Sequence, residues 1–557
     1  MLRIKKNLIL VVIILVAAIV RLWKVGIIPP GLFGDEVDTG YQAYSILKTG
    51  RDYFGNFLPV HFQSFGDWRV PLYIYLDTIF IAFLGLTELA VRLPAALLGI
   101  FGVFVTYLLA KRITRSEKIS LASSFLLAIS PWHIQLSRIG IEAIFLPILF
   151  PLGLLFFLKG VEEKRKLIPL VFAGFFFGLT VYAYNTPKLF LPLIVLVLLI
   201  LWRKELLVEK KKLIVFLLTL FLVLLPLGLD LFKGSSQARF LSISIFSDSQ
   251  VSEKVRLARE SCDYQGIVAR LLHNKAAVWT DTFVKNYLSS VSTDFLFAKG
   301  DLNPRHAVGG RGELYLFELP FLILGLGIVL LKAFKEKKKV FQLILVWLIF
   351  SPIPAALTQN GGTHAIRLFL FIPWFQITAA LGIWTVWEYI RSRRAKIFLI
   401  ALLSFIILLS VFSYTHDYFF HYPKISGRWW NYGYREIFDY ININQYKYDK
   451  IYISSSWEPP IVYVMFYSRY PVRDAQKKLT IHSNEIGKYN FSAPKLSSLL
   501  KEGSELKTLY VLTPGELEFI NYHNLGTTND SSIKFIKEIK APDQSIAFVV
   551  FSSFDVE

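Results

Sequence analysis

Long apolar runs separated by short basic clusters are the feature that most constrains this chain. Eleven stretches are apolar over the length of about 20 residues that a helix needs to cross a bilayer. They are residues 7–24, 89–110, 119–136, 141–158, 167–184, 186–202, 213–232, 314–331, 340–357, 366–390 and 397–414. With 54% hydrophobic and only 18% charged residues, the composition excludes an ordinary soluble domain and a disordered chain. The sequence therefore predicts an α-helical polytopic membrane protein.

The basic clusters predict how the chain is oriented. They lie at residues 3–6, 111–118, 159–166, 203–212, 332–339 and 391–396, and they hold most of the net charge of +20. With eleven spans and a cytoplasmic N-terminus, every cluster falls on the cytoplasmic side, as the positive-inside rule requires. If a further apolar stretch, residues 71–87, also crossed the membrane, all the later basic clusters would lie on the outer side. We therefore expect a re-entrant or interfacial helix there. Because topology and contact with membrane lipids account for the charge, we expect no nucleic-acid partner.

This topology predicts two domains. Residues 1–417 form a transmembrane domain with outer loops at 25–88 and 233–313, and residues 418–557 form a small extracytoplasmic α/β domain. Within the latter, β-type runs at 450–454, 461–467, 508–512 and 546–551 alternate with helical and turn-rich pieces. We expect a multi-pass protein of the plasma membrane. The single Cys262 excludes a disulfide framework and a cysteine-based metal cluster.

Paired acids open the first outer loop. Asp35 and Glu36 follow a Pro-Pro-Gly turn and Gly34, just after the first span. They are either solvated loop charges or a fixed carboxylate at the membrane surface, which could serve as a general base for a hydroxyl or an amine. A divalent cation at Asp35 and Glu36 is an open alternative; otherwise no cofactor is expected.

Two further outer segments combine arginine with other polar residues. In Ser137-Arg138-Ile-Gly-Ile-Glu142, the arginine and the glutamate could simply pair, since they are four residues apart. In Gly361-Gly-Thr-His364-Ala-Ile-Arg367, the arginine could snorkel to lipid headgroups or grip a phosphate in a bidentate fork. The histidines at 133, 306 and 364 do not show metal-ligand spacing, so no metal site is predicted from them.

Taken in order, these segments resemble the GT-C superfamily of polyprenyl-phosphate-sugar-dependent glycosyltransferases. The resemblance is to the branch with protein O-mannosyltransferases and the lipid A aminoarabinose transferase. It rests on Gly34-Asp35-Glu36 followed by Ala43-Tyr-Ser-Ile-Leu-Lys-Thr-Gly50, Pro71-Leu-Tyr-Ile-Tyr, Glu88-Leu-Ala-Val-Arg92-Leu-Pro-Ala, and Ser130-Pro-Trp-His through Ser137-Arg138 to Glu142. It covers about the first 200 residues in motifs and the rest by layout.

The resemblance implies transfer of a sugar, with inversion, from a polyprenyl-phosphate donor on the outer face. The acceptor would be a protein, a lipid or a cell-wall glycan. Asp35 would be the catalytic base or the acid that orients the acceptor, with Glu36 beside it. Glu142 would be the second acid of the outer cavity, at a place where the family often has Asp. Arg138, Arg367 and His364 would bind the donor phosphate. The alternatives are a membrane transporter and a lipid-linked glycan ligase that uses a diphosphate donor.

Overall fold

The described part of the chain forms two compact units. The computed structural model describes residues 2–163, 166–231, 242–262, 266–492, 494–502, 506–518, 520, 522 and 533–554. The first unit comprises Met1–Trp23, Ala95–Ser137 and Glu142–Thr415, and the second comprises Lys24–Pro94, Arg138–Ile141 and His416–Glu557. The first outer loop therefore groups with the C-terminal chain, whereas the sequence analysis assigned it to the transmembrane domain.

Long apolar helices dominate the chain. Among the described residues, six are long and apolar enough to cross a membrane: Glu88–Thr114, Glu142–Glu162, Lys210–Asp230, Lys339–Ala356, Phe369–Tyr389 and Arg393–Trp430. Shorter apolar helices are Asn7–Leu22, Leu72–Leu84, Ile168–Ala183 and Pro187–Leu201. The predicted class, an α-helical multi-pass membrane protein with a small C-terminal α/β domain, is confirmed.

Several predicted spans are short or interrupted. The apolar stretch 119–136 breaks into helices Glu117–Ile129 and Pro131–Leu136, because Pro131 has no N–H to continue the first helix. Helix Leu72–Leu84 has 13 residues and is about 20 Å long, well short of a hydrocarbon core of about 30 Å. That length suits a re-entrant or interfacial helix.

The first unit is built from helices that approach closely at glycines. Its remaining helices are Val251–Glu260, Ile267–Leu272, Lys275–Ser289, Glu318–Leu330 and Ile353–Ala356, with the N-terminal helix Leu2–Leu22 and the short Arg203–Val208. A Cβ on Gly325 would lie 1.9 Å from the carbonyl oxygen of Thr378, and one on Gly382 would lie 2.0 Å from that of Phe321. Helices Glu318–Leu330 and Trp374–Tyr389 therefore pack backbone to backbone, as small residues allow in membranes.

The second unit contains a six-stranded sheet of order β4-β5-β3-β6-β8-β7. The strands are β3 (Lys450–Ile453), β4 (Glu485–Ile486), β5 (Tyr489–Asn490), β6 (Thr508–Leu512), β7 (Lys534–Lys540) and β8 (Ile546–Ser552). Strand β3 is parallel to β5 and β6, and the other pairs are antiparallel. In the first outer loop, β1 (Phe62–Gln63) and β2 (Trp68–Arg69) pair antiparallel.

One β-type run is a helix instead. The stretch 461–467 lies in helix Pro460–Tyr467, of which residues 460–466 are buried. A short, fully apolar run does not distinguish a buried strand from a buried helix, and Pro460 suits the first turn of a helix. The other helices of this unit are Gly34–Thr49, Tyr422–Ser426, Tyr434–Asn444, Val472–Lys478 and Leu496–Glu502.

Helix Gly34–Thr49 is packed into the core of the second unit. Its Val37 and Tyr41 are fully buried in one hydrophobic cluster with Ile437, Phe466 and the strand residue Ile451. A Cβ on Gly40 would lie 2.6 Å from the Phe466 ring, so a larger residue there would force the two helices apart. The loop that carries the paired acids and the C-terminal α/β fold therefore share a single core.

Candidate active site

Asp35 and Glu36 lie in the first turn of helix Gly34–Thr49. The residue before the helix, Phe33, offers no side-chain cap, and Glu458 from the C-terminal domain fills that role: the Gly34 N–H donates to its Oε2 at 2.7 Å. The same carboxylate accepts from the Asn431 amide at 2.9 Å and the Tyr463 hydroxyl at 3.1 Å. Carboxylates near the positive end of a helix dipole stabilise the helix.

Asp35 is the accessible acid of this turn. Its side chain is 53% exposed, and its Oδ1 accepts from Arg69 Nη2 at 2.8 Å. Arg69, at the end of β2, is only 8% exposed and also donates through Nε to Asp38. One buried guanidinium thus holds two carboxylates, so that Asp35 presents its carboxylate at the surface in a restricted position.

Asp38 is buried one turn further along the helix. It accepts from the Tyr53 hydroxyl at 2.6 Å in addition to Arg69. Burial raises the pKa of Asp38, while Arg69, Tyr53 and Ser64 oppose that shift. Asp38 is therefore part of the internal network that fixes Arg69, and its carboxylate has no exposed surface for a substrate.

Glu36 ties three separate segments together. Its carboxylate is fully buried and accepts a bidentate pair from Arg92 Nε and Nη2, both at 2.8 Å. The backbone N–H of Gly140 also donates to it, at 2.8 Å. Arg92 in turn donates to the carbonyls of Pro29 (2.7 Å) and Gly31. The buried pair thus anchors the turn before the helix, the helix itself and the segment around residue 140.

Arg138 is also fully buried in the second unit. Its Nε donates to the Tyr418 hydroxyl at 3.2 Å, and its Nη2 donates to the carbonyl of Ile28 at 3.0 Å. The guanidinium lies over the Tyr418 and Phe419 rings, at 5.2 and 5.0 Å from their centroids. Arg138 therefore lies in the same unit as the paired acids, among aromatic side chains that stabilise its charge.

The other predicted site residues lie in the first unit. Glu142 is half-buried at the start of the turn Glu142–Phe145. Arg367 is half-buried and donates to the Thr358 hydroxyl at 2.6 Å and the Gln359 carbonyl at 3.0 Å. The His364 ring stacks on the His306 ring with 4.6 Å between centroids. Asp35, Glu36 and Arg138 thus belong to the second unit, and Glu142, His364 and Arg367 belong to the first.

The residues that hold the first turn of this helix in place were not predicted from the sequence. Arg69, Arg92 and Glu458 are 34, 56 and 424 residues from their partners in helix Gly34–Thr49. No periodic pattern links residues so far apart. The one usable signal was the position of Arg92 four residues after Glu88, at the start of a long apolar helix, where an arginine needs a partner.

A cavity of about 530 Å³ lies within the second unit. Aromatic and basic residues line it together, among them Phe419, His421, Lys424 and Arg435, and Pro30 and Gly31 form part of its wall. The lining combines groups that suit an anion with groups that suit an apolar or sugar ring. Arg435 itself is paired with Glu88, its Nε at 3.0 Å from Oε1.

Residues 69–228 match the family model of dolichyl-phosphate-mannose-protein mannosyltransferases. That segment begins at Arg69 and includes Arg92, Arg138 and Glu142. No curated protein sequence matches the chain significantly.

Structural comparison finds, among others, two structures of oligosaccharyltransferases and one of ArnT. The apo oligosaccharyltransferase of Archaeoglobus fulgidus has a TM-score of 0.53 at 14% identity, with 91% of this chain and 69% of that chain covered. The AglB oligosaccharyltransferase of the same organism, in complex with an inhibitory peptide and a dolichol-phosphate, has a TM-score of 0.51 at 14% identity, covering 84% and 64%. ArnT from Cupriavidus metallidurans, bound to undecaprenyl phosphate, has a TM-score of 0.46 at 14% identity, covering 98% of each chain.

Proposed function

We propose that this chain is a GT-C glycosyltransferase that transfers a sugar from a polyprenyl-phosphate donor to an acceptor on the outer face of the membrane; the family-model match and the similar fold of the oligosaccharyltransferases support this proposal. The observation that carries the proposal is the half-exposed Asp35 carboxylate, held by buried Arg69 at the first turn of a well-packed helix. A general base needs this combination of access and restricted position.

We assign Asp35 as the base. The acceptor hydroxyl or amine loses its proton to the Asp35 carboxylate as its oxygen or nitrogen bonds to the anomeric carbon. The bond from that carbon to the phosphate oxygen breaks, and the polyprenyl phosphate leaves as an anion that needs no proton. Attack opposite the leaving group inverts the anomeric configuration, through an oxocarbenium-like transition state. Glu36, fully buried under Arg92, positions the turn that presents Asp35.

The leaving phosphate needs cationic partners. Our candidates for that role are Arg367 and His364, which are half-buried, and Arg138, whose buried guanidinium would have to become accessible to the phosphate. Glu142 remains the candidate second acid. A guanidinium forms bidentate contacts with phosphate that are worth more than neutral hydrogen bonds. The lipid phosphate itself is suggested by the dolichol-phosphate in the AglB complex, a protein with a similar fold.

We propose that Asp35 and Glu36 act without a metal ion. Both carboxylates face guanidinium groups: Arg69 binds Asp35, and Arg92 binds Glu36 through two nitrogens. A divalent cation between them would have to displace or repel these cations at close range. The donor set around the paired acids therefore does not fit a metal.

The orientation follows from the sequence. We propose a multi-pass protein of the plasma membrane with a cytoplasmic N-terminus and the second unit outside, since this places all six basic clusters inside. The acceptor would then be a protein, a lipid or a cell-wall glycan on the outer face.

A lipid-linked glycan ligase is the second candidate function. It is favoured by the similarity of the fold to that of oligosaccharyltransferases. The two functions differ in what the donor releases: a polyprenyl phosphate in the first case and a polyprenyl diphosphate in the second. A transporter has less support, because the paired acids and their arginines lie in the unit that holds the outer loop and the sheet.

The donor consumed tests the proposal. Purified full-length protein would be reconstituted in liposomes with either a polyprenyl-phosphate sugar or a polyprenyl-diphosphate sugar, together with a membrane extract as the source of acceptor. We expect sugar transfer and release of polyprenyl phosphate from the first donor only. Release of a diphosphate lipid, with the monophosphate donor unused, would replace the proposal with the ligase function.

A further inference from the structure

A second cluster of chemistry-bearing side chains lies in the first unit, away from the paired acids in sequence. Asp301 and His306 come from the outer loop that precedes helix Glu318–Leu330, and His364 comes from the loop after helix Ile353–Ala356. Their candidate ligand atoms, one per residue, all lie within 4.8 Å of one another. We propose that Asp301, His306 and His364 bind a Zn²⁺ ion, with water as the fourth ligand.

The cluster is held in place before any ion binds. Asp301 Oδ2 accepts from His306 Nδ1 at 2.7 Å and from the backbone N–H of Ala365 at 2.9 Å. Its Oδ1 accepts from the Asn303 N–H at 2.9 Å. The imidazoles of His306 and His364 stack at 29° with 4.6 Å between their centroids. Such outer contacts orient metal ligands and reduce the entropy lost on binding.

Accessibility also suits an ion site. The Asp301 and His306 side chains are 9% and 12% exposed. His364 is half-buried. The cluster is therefore largely shielded from bulk water but not sealed, so that an ion and one water molecule can reach it.

The donor set points to zinc. Two imidazoles and one carboxylate are a common ligand set for Zn²⁺, with bond lengths of about 2.0–2.2 Å and a tetrahedral arrangement that leaves one position for water. Two ligand atoms on such an ion are about 3.3 Å apart. The 2.7 Å separation of His306 Nδ1 and Asp301 Oδ2 must therefore open by about half an ångström.

The protons balance without an extra reactant. In the hydrogen-bonded state His306 Nδ1 carries the proton that it donates to Asp301. When Nδ1 becomes a ligand, the neutral ring keeps its one proton on Nε2, which lies 3.5 Å from the Asn303 side-chain nitrogen. This tautomer gives up the Asn303 contact, because Asn303 Oδ1 already accepts from the Arg305 N–H at 3.0 Å. Zinc thus replaces two hydrogen bonds of His306 with three protein–metal bonds.

The ion would join two loops that already meet at helix Pro131–Leu136. The Trp132 indole N–H donates to the Ala365 carbonyl at 3.1 Å, and the Gln135 amide donates to the Arg305 carbonyl at 2.8 Å. Arg367 follows His364 by three residues, so the ion would also fix the segment that carries this candidate phosphate-binding arginine. His364 would then be a metal ligand, which leaves Arg367 as the phosphate-binding candidate of this segment. The bound ion would therefore stabilise the contact between these two loops.

The second His/Asp group of the described chain makes a useful comparison. His416, Asp417 and His421 also lie within ligand distance of one another. They come from a single helical stretch, and the His416 and Asp417 side chains are 49% and 32% exposed. The first cluster joins two separate loops and is far less exposed, so we assign zinc to it.

The test is zinc binding by the full-length protein in detergent. After removal of metal with a chelator, ZnCl₂ is added, excess ion is removed, and bound zinc is measured by mass spectrometry together with the thermal unfolding midpoint. We expect about one Zn²⁺ per wild-type chain and a higher midpoint, because a ligand that binds only the folded state stabilises it. The Co²⁺-loaded protein should show the intense visible absorption of tetrahedral cobalt.

The variants locate the site. Asp301→Asn, His306→Gln and His364→Gln should each lose most of the bound zinc and the midpoint shift while remaining folded by circular dichroism. His416→Gln and His273→Gln are the matched controls and should bind as the wild type does. If the wild type binds no zinc, if all three variants bind normally, or if only His416→Gln loses the ion, the proposal is overturned. Sugar transfer is not the readout, so this result is independent of the proposed function.

Discussion

Three carboxylates within one turn of helix Gly34–Thr49 have three different surroundings. Asp35 is 53% exposed beside Arg69, Glu36 is fully buried under Arg92, and Asp38 is buried beside Arg69 and Tyr53. Only the first of them can reach a substrate without moving its neighbours. The chemistry of the site therefore depends on Asp35. The position of the Asp35 carboxylate depends on the two buried arginines that hold this helical turn.

Arg69→Lys tests the positioning of Asp35. Lysine keeps the positive charge but cannot hold Asp35 and Asp38 with one planar fork. Loss of a hydrogen bond between charged groups costs roughly 1.5–3 kcal/mol, so we expect kcat to fall about ten- to a hundredfold with little change in the KM for the donor. Arg51→Lys, in the same loop and bonded to the Gly55 carbonyl at 2.8 Å, should have wild-type kinetics. An unchanged kcat in Arg69→Lys would show that Asp35 needs no such support.

At the scale of single residues, the sequence predicted the two acids but not the arginines that bind them. A Pro-Pro-Gly turn followed by Gly34, Asp35 and Glu36 is a local signal that can be read directly. Which of the two acids is exposed is decided by Arg69 and Arg92, which approach from 34 and 56 residues away. That choice depends on tertiary packing and has no local sequence signature.

Among the elements, the first turn of helix Gly34–Thr49 depends on the C-terminal domain. Glu458 accepts from the Gly34 N–H, Asn431 and Tyr463, and therefore caps a helix more than 400 residues earlier in the chain. Helix Pro460–Tyr467 packs on the same helix, and the two share one core. This arrangement gives the C-terminal domain a specific task, which is to hold the turn that carries Asp35.

Glu458→Ala tests that task. Removing an N-terminal cap costs about 0.5–2 kcal/mol of the free energy of unfolding, so the thermal midpoint should fall measurably. We also expect a lower kcat, since the turn carrying Asp35 loses its cap. Glu485→Ala removes an exposed carboxylate of strand β4 and should change neither quantity. A Glu458→Ala protein with normal stability and normal transfer would argue that the domain only packs against the helix.

The predictions of secondary structure in the C-terminal domain were only partly correct. Runs 450–454, 508–512 and 546–551 coincide with β3, β6 and β8, because alternating or β-branched residues bounded by turns are typical of strands. The run 461–467 is equally apolar but forms a helix, since its surroundings bury every side. The first loop groups with the C-terminal domain through tertiary contacts, and these cannot be predicted from composition.

For the whole molecule, the alternation of apolar helices and basic clusters predicts the orientation. Six described helices are long enough to cross a membrane, and others are shorter or broken at proline. Apolar length was therefore a good guide to a polytopic helical protein and a poorer guide to where each helix ends, because helix breaks at residues such as Pro131 leave the hydropathy unchanged.

Cysteine labelling in intact cells tests the orientation. The native Cys262, in the predicted outer loop 233–313, should react with a membrane-impermeant maleimide from outside. In a Cys262→Ser background, Lys478→Cys should also react from outside, and Arg115→Cys, at a side chain that is 82% exposed, should react only after the membrane is permeabilised. Labelling of Arg115→Cys in intact cells would invert the topology.

The most direct test of the account is sugar transfer by Asp35→Asn. Asparagine keeps the shape of the side chain and removes the base, and loss of a general base slows a reaction by about 10²–10⁴-fold. The variant should insert and bind the donor normally, and Asp543→Asn, in an exposed turn of the C-terminal domain, should transfer at the wild-type rate. With purified protein and a polyprenyl-phosphate sugar, we predict near-complete loss of transfer in Asp35→Asn. If Asp35→Asn transfers sugar at the wild-type rate while Glu142→Gln is inactive, Asp35 is not the base and the reaction centres on Glu142.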